Sequence, residues 1–327
     1  MPKKYNWGIL GPGNIAHKFS AGLKLLGNAN LYAVASRSVE RAAGFARQHG
    51  FDKYFGSYQE MVADPNLDVV YIASPHSHHM EHTLLCLENW KHVLCEKAFA
   101  INSAEVEKMT AMATQRNLFL MEALWPPFQP SYLDARGVLA SGRMGEVQYI
   151  RSHFAFKAPY DPEGRLFNPS LGGGALLDIG IYPVIDAITF MGKASSIEAQ
   201  ATFTDSGVDH TIQITMDYGN GKYASLYASL NNQGGIGTEL FCDNGVITLS
   251  RSRDLTQTCI VETEDKEPLV HRFKPDAMGY PLVAMEVMDC LDRGLVQSST
   301  VPLSLSRDII ETLDAIRKKI NLVYPET

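Results

Sequence analysis

The sequence predicts an α/β protein in two parts: an N-terminal doubly wound parallel sheet, then an α+β domain with a large, mostly antiparallel open sheet. Three observations predict it. First, a glycine turn, Gly11-Pro12-Gly13-Asn14-Ile15-Ala16, follows an apolar strand-like run and opens an amphipathic stretch through Phe19, Leu23 and Leu26. Second, up to residue 123 short apolar runs alternate with helical stretches. Third, beyond Pro126-Pro127 the texture changes to period-2 alternation broken by turn signals such as Asn220-Gly221 and Asn244-Gly245.

Taken in order, the runs 31–35, 69–73, 93–95 and 118–121 are apolar without alternation, as strands covered on both faces are. Helical stretches lie between them at 39–49, 58–63, 81–89 and 104–116. A linking helix is expected over 131–139 and a half-buried strand over 145–156. A helical region follows at 175–191, then strands at 197–203, 211–218, 223–230, 238–241 and 246–249, and finally helices at 281–293 and 303–320. The expected domains are 1–123, binding a dinucleotide, and 124–327, binding substrate. Aromatic residues Tyr149, Phe154, Phe156, Phe203, Tyr218 and Tyr227 could cover the open sheet face in a homodimer, the alternative being a solvated face.

The opening βαβ unit is of the Rossmann, dinucleotide-holding kind. Gly11 allows the tight turn, Gly13 lets backbone approach a pyrophosphate, and Ala16 lets helix pack on strand. The helix amides of Asn14 and Ile15 are offered to the anion. Where an acidic residue would receive a ribose 2′-hydroxyl, this chain has Ser36, Arg37 and Ser38, with Arg41 a turn later. A cation and hydroxyls suit a 2′-phosphate, so NADP is expected ahead of NAD. The competing reading of Arg37 and Arg41 is ordinary exposed arginines at a helix entry.

Composition bounds the rest. The chain has 327 residues, 45% of them apolar, and a net charge of −7, with pI near 5.8. That argues against nucleic acid or an anionic membrane as partner. No run of about 18 apolar residues stands out as a span. Cys86, Cys95, Cys242, Cys259 and Cys290 are odd in number and lack paired spacing, which suits a reducing, cytoplasmic setting.

In such folds ligands bind at the carboxyl ends of the parallel strands. Ser74-Pro75-His76-Ser77-His78-His79 follows the fourth strand and Glu96-Lys97 the fifth, with Ser74, His76, His79 and Glu96 expected to line the cofactor. A lysine in a partly dry cleft can trade a proton or hydrogen bond with a substrate hydroxyl. In the second part, Gly172-Gly173-Gly174 leads to Asp178 and Tyr182, four apart and on one helix face, although Pro183 is expected to kink the helix near Ile179. Oxidising a secondary alcohol removes a hydride and a proton, so a base must accompany the nicotinamide, either Tyr182 or Lys97. His78 and His82 have i, i+4 zinc-like spacing, but no carboxylate or cysteine completes a shell, and no metal is expected.

These residues resemble the Gfo/Idh/MocA oxidoreductases, and stretches 93–97, 118–125 and 172–182 are similar to its dimeric dihydrodiol dehydrogenase and NADP-dependent D-xylose dehydrogenase branch. The resemblance runs over essentially the whole chain. It implies NADP-linked oxidation of sugars or cyclic diols, dimerisation through the open sheet, Trp125 at the cofactor, and a catalytic set of Lys97, Asp178 and Tyr182 with Tyr182 as acid and base. Two departures stand out: Ala98 replaces the usual proline, and Pro127 the usual arginine after Trp125. The rival reading is a cofactor-binding sensor without turnover.

Overall fold

The computed structural model describes residues 3–252, 254–264 and 266–325. The chain divides into two compact units, Met1–Trp125 with Asp276–Arg307, and Pro126–Pro275 with Asp308–Thr327.

In the first unit β1 (Tyr5–Leu10), α1 (Asn14–Leu23), β2 (Ala29–Ala35), α2 (Val39–His49), β3 (Lys53–Phe55), α3 (Tyr58–Val62), β4 (Val69–Ile72), α4 (His79–Glu88), β5 (His92–Cys95), α5 (Ser103–Arg116) and β6 (Leu120–Glu122) alternate. Their six parallel strands run β3-β2-β1-β4-β5-β6, so the order reverses between β1 and β4. All four residues of β4, Val-Val-Tyr-Ile, are buried, because helices cover both faces. Local chemistry ends the helices. Ser38, Ser57 and Asn102 accept amide bonds as caps of α2, α3 and α5, and Gly50 and Asn117 stop α2 and α5 in left-handed conformation.

Residues 276–307 belong with this unit, where the sequence reading put everything after 123 in the second domain. The reason is packing. Helix α8 (Tyr280–Asp292) sets Tyr280 edge-on to Phe19, its Asp292 accepts the Tyr5 hydroxyl at 2.7 Å, and the Leu120 amide donates to the Val296 carbonyl. Gly22 admits this approach, since a Cβ there would lie 3.1 Å from that of Tyr280. The amphipathic pattern of 281–293 says that one face is buried but not against what.

The second unit holds α6 (Pro130–Ala140), β7 (Val147–Ala155), α7 (Ile181–Met191), β8 (Ser196–Phe203), β9 (Asp209–Gly219), β10 (Lys222–Ser229), β11 (Gly235–Cys242), β12 (Gly245–Arg251), β13 (Gln257–Thr263) and β14 (Lys266–Phe273), and takes up the chain again at Asp308 within α9 (Leu303–Ile320). Its eight-stranded sheet runs β14-β13-β12-β11-β7-β10-β9-β8. Among the described residues of this sheet, only the β7–β10 pair is parallel. Strands β13 and β14 had no counterpart in the sequence reading, because β14 carries Pro268 and four charged or imidazole side chains, which only an edge strand tolerates.

Alternation along the sheet separates its faces. Ile150 and Ser152 of β7 are buried toward α7, where Ser152 bonds Asp186. Phe154 shares that face and lies against Tyr182, its ring centroid 5.5 Å away, so it does not belong to the open face as expected. The open face instead shows Tyr149 beside Phe241, with Tyr223, Tyr227 and the Arg151–Glu239 ion pair. The stretch Pro169–Met191 is apolar enough, by length and composition, to cross a membrane, but 72% of its most apolar window is buried within the protein, as for a core helix.

Candidate active site

The carboxyl edge of the first sheet is assembled by adjacent strands. Leu10 ends β1 beside Ile72 of β4, and Ile72 pairs in turn with Cys95 of β5, so Gly11, Ser74 and Lys97 leave neighbouring strand ends at the switch point. Gly11 has φ +88°, and a Cβ on it would come 3.2 Å from the Ser74 amide nitrogen, so the close turn requires glycine. Gly13 precedes α1 without a side-chain cap and no acidic residue lies in its first turn, leaving the Asn14 and Ile15 end of the helix suited to an anion. A pyrophosphate fits this cradle.

At the end of β2, Ser36 is buried while Arg37 and Arg41 are exposed. Ser38 is committed elsewhere: its hydroxyl accepts the Arg41 amide at 3.2 Å and donates to Glu40, capping α2. The charge of Arg37 reaches Tyr58 and His82, two residues the sequence reading did not connect with it.

His79 turns out to be scaffold. His79 is 0% exposed. Its Nδ1 lies 2.8 Å from the Ala98 carbonyl oxygen and its Nε2 2.9 Å from that of Ser74. The ring therefore lies between the turns after β4 and β5, donating to one of the two carbonyls when neutral, and has no surface left to touch a cofactor, contrary to the expectation for it. Burial, above all, lowers its pKa to about 4. His82, likewise lowered to about 4 by burial, has its Nδ1 at 2.9 Å from the Ser74 hydroxyl. His76 is buried with its ring edge-on to His79. Among the described residues no three His, Cys, Asp or Glu side chains gather as a metal set.

Glu96 accepts the hydroxyl hydrogen of the fully buried Tyr71, and Lys97 beyond it is half-buried. The Lys97–Ala98 peptide is cis. Glu122 at the end of β6 accepts the Phe99 amide at 3.0 Å, so the backbone just after Lys97 is held by a carboxyl on one side and an imidazole on the other. Trp125, half-buried, closes the unit.

In the second unit the glycine segment is built around Asp209. Gly174 has φ +114°, and a Cβ on it would lie 2.2 Å from Asp209 Oδ1. Asp209 Oδ2 accepts the Leu176 amide at 2.7 Å, and the Tyr324 hydroxyl donates to the Gly173 carbonyl at 2.7 Å. Burial pushes the Asp209 carboxyl up to about 7. A π turn over Leu176–Gly180 then runs into α7. This answers the Pro183 problem: widening the turn relieves the clash of its ring with the Ile179 carbonyl, so the helix continues instead of breaking.

Asp178, 5% exposed, takes an ion pair at 2.8 Å from Arg165, a residue missed at the sequence level because it lies in an irregular loop. Tyr182 is 8% exposed. One turn further along α7, Asp186 accepts the Ser152 and Thr238 hydroxyls at 2.8 and 2.5 Å, tying the helix face that carries Asp178 and Tyr182 to β7 and β11. Its carboxyl is raised to about 6 by burial.

Comparison with known proteins agrees with this architecture. A profile described as the oxidoreductase family with NAD-binding Rossmann fold matches residues 5–124, and the GFO/IDH/MocA C-terminal domain matches residues 132–248. The chain belongs to the Gfo/Idh/MocA oxidoreductases. It is 36% identical over 332 residues to the trans-1,2-dihydrobenzene-1,2-diol dehydrogenase of Xenopus laevis, covering 98% of this chain and 99% of that protein. It is 35% identical to the Homo sapiens dehydrogenase of the same name, with 98% of each covered. Among solved structures, a 3-ketoreductase from Actinomadura kijaniata in complex with NADP and TDP-benzene superposes with TM-score 0.87 at 22% identity, over 97% of this chain and 98% of that one. A levoglucosan dehydrogenase in complex with NADH and L-sorbose gives 0.88 at 20% identity, over 98% and 97%. The two superpositions speak for the fold.

Proposed function

We propose that this protein is an NADP-dependent dehydrogenase moving a hydride between nicotinamide and a secondary alcohol of a sugar or cyclic vicinal diol. The observation that carries the reading is the strand-end edge of the first unit, where the Gly11 turn, the Ser36-Arg37 pair and Lys97 combine a dinucleotide cradle with a half-buried amine. Full-length similarity to diol dehydrogenases supports the substrate class.

When bound, the nicotinamide supplies the hydride acceptor or donor. The chain's own residues handle the proton and the charge. Gly11, Gly13, Asn14 and Ile15 hold the pyrophosphate, and Ser36, Arg37 and Arg41 receive the 2′-phosphate. As the C–H bond gives up its hydride, the alcohol O–H bond breaks and its proton goes to the Tyr182 oxygen. Lys97 is the cation of the set, its charge matched to a developing alkoxide. Asp178, fixed by Arg165, is the carboxylate that orients the reacting hydroxyl.

Two further readings belong here. A second copy of the chain covers the open sheet face through Tyr149, Tyr223, Tyr227 and Phe241, which light scattering of the purified protein tests. A cytoplasmic location is supported by five free cysteines, four of them buried.

Lys97→Met and Tyr182→Phe are expected to lower turnover about 10²- to 10⁴-fold while NADP affinity stays near wild type. Wild-type turnover in either variant removes that residue from its role. NADP binding by the wild-type protein with no turnover on any aldose or cyclic diol would favour the sensor.

A further inference from the structure

We infer that Glu122 is a positioning residue for Lys97, fixing the backbone just beyond it through the Phe99 amide and setting the charge behind it. This rests on the assignment of Lys97 above.

The geometry is unusual for a carboxyl. Glu122 closes β6 and is 1% exposed. Its Oε1 accepts the Phe99 amide at 3.0 Å. Among the described residues its Oε2 has no well-formed hydrogen bond, and neither has the buried hydroxyl of Ser306, which acts on the same carboxyl. Ionisation would place a full negative charge in a dry interior, a desolvation cost that the neutral acid avoids. The ionisable groups acting on Glu122 come from β5 and its end. The Glu96 carboxyl opposes its ionisation and Lys97 favours it, while the fully buried Cys95 thiol feels the same carboxyl. Tyr71, from β4, enters through its bond to Glu96. Burial dominates and pushes the Glu122 carboxyl up to about 8, the Ser306 hydroxyl and the Phe99 amide opposing it.

With its carboxyl pushed up to about 8, Glu122 favours the neutral acid at pH 7. It carries a proton that a strand-end carboxyl would ordinarily have lost. When that proton leaves, a negative charge appears behind Lys97 and offsets the field the lysine offers a developing alkoxide. His79 lies against the carbonyl oxygen of the same Ala98–Phe99 peptide group whose N–H Glu122 accepts, so the two side chains hold one peptide unit from its opposite edges.

The test uses Glu122→Gln, which keeps the acceptor for Phe99 and imitates the neutral acid, and Glu122→Leu, which removes the acceptor. Infrared difference spectra of the NADP-free protein between about pH 6 and about pH 10 are expected to show a protonated carboxyl band that disappears in wild type and has no counterpart in Glu122→Gln. The ratio of kcat, Glu122→Gln over wild type, is expected to stay level at low pH and to rise about 3- to 10-fold through the alkaline limb. Glu122→Leu is expected to lower kcat about tenfold or more with NADP Kd changed less than about threefold. Identical infrared spectra for wild type and Glu122→Gln, or a pH-independent kcat ratio, would overturn the inference, and both stand even if Glu122→Leu fails to fold. The infrared band requires no turnover, so a full-activity Lys97→Met would sink the lysine's role while leaving the Glu122 titration intact.

Discussion

Replacing Asp209 with asparagine is expected to remove a pH dependence from the stability of the second unit. Asp209 is 0% exposed and its carboxyl is raised from 3.8 to about 7, chiefly by burial. The sign follows from proton counting. The folded state holds this proton more tightly than the unfolded chain, so the stabilisation is complete below about pH 4 and is lost as pH rises through about 7. A shift of about 3 units is worth about 4 kcal/mol in all, of which about 2–3 kcal/mol is lost between about pH 5 and about pH 8. Asparagine keeps a carbonyl oxygen for the Leu176 amide but cannot ionise. Asp186 titrates in the same unit, raised to about 6, and contributes with the same sign. Because it is present in both proteins, their difference isolates Asp209. Differential scanning calorimetry should then show the Tm of the second unit falling by about 5–10 °C more in wild type than in Asp209→Asn over that interval. Parallel Tm curves would refute the reasoning, for they would mean that Asp209 enters the folded state already ionised.

Arg37→Ala is expected to weaken NADP about 10- to 100-fold, the worth of a charge-assisted phosphate contact, and NAD less than about threefold. Isothermal titration checks it, and equal weakening of both would show that Arg37 does not read the 2′-phosphate. Gly174→Ala is expected to cost more than about 3 kcal/mol, since its Cβ would lie 2.2 Å from Asp209 Oδ1 at φ +114°. Circular dichroism melting of the variant decides this, and a wild-type Tm would contradict the geometry. Gly174→Ala combined with Asp209→Asn is expected to remain impaired, because the backbone conformation stays unfavourable even without the carboxylate.

What the sequence disclosed is what short-range physics determines. Strand, turn and helix of the Gly11 motif lie within twenty residues, so their spacing carries the cradle, and the position of Lys97 follows once β5 is recognised beside β4. Residues 276–307 show the first limit: an amphipathic helix announces a buried face without naming the surface that buries it, and only Tyr280 against Phe19 settles the matter. Edge strands show the second. The mixture of Pro268, lysine and arginine in β14 keeps an edge from pairing further, and the same mixture erases the alternation by which a strand is read.

The third limit is the most consequential for the chemistry. Glu122, Asp186 and Asp209 look in the sequence like any surface acids, yet all three are buried and their carboxyls are raised to about 8, 6 and 7. A carboxyl acquires such a value only from the chain folded around it, as does the partnership of Asp178 with Arg165 thirteen residues earlier in an irregular loop. Each of these four carboxyls holds a backbone turn or helix face that carries a proposed catalytic side chain, or is itself one. The residues expected to touch substrate were therefore visible as motifs, whereas those that aim them were not, because motif spacing records where the chain must bend and burial records what it must hold still.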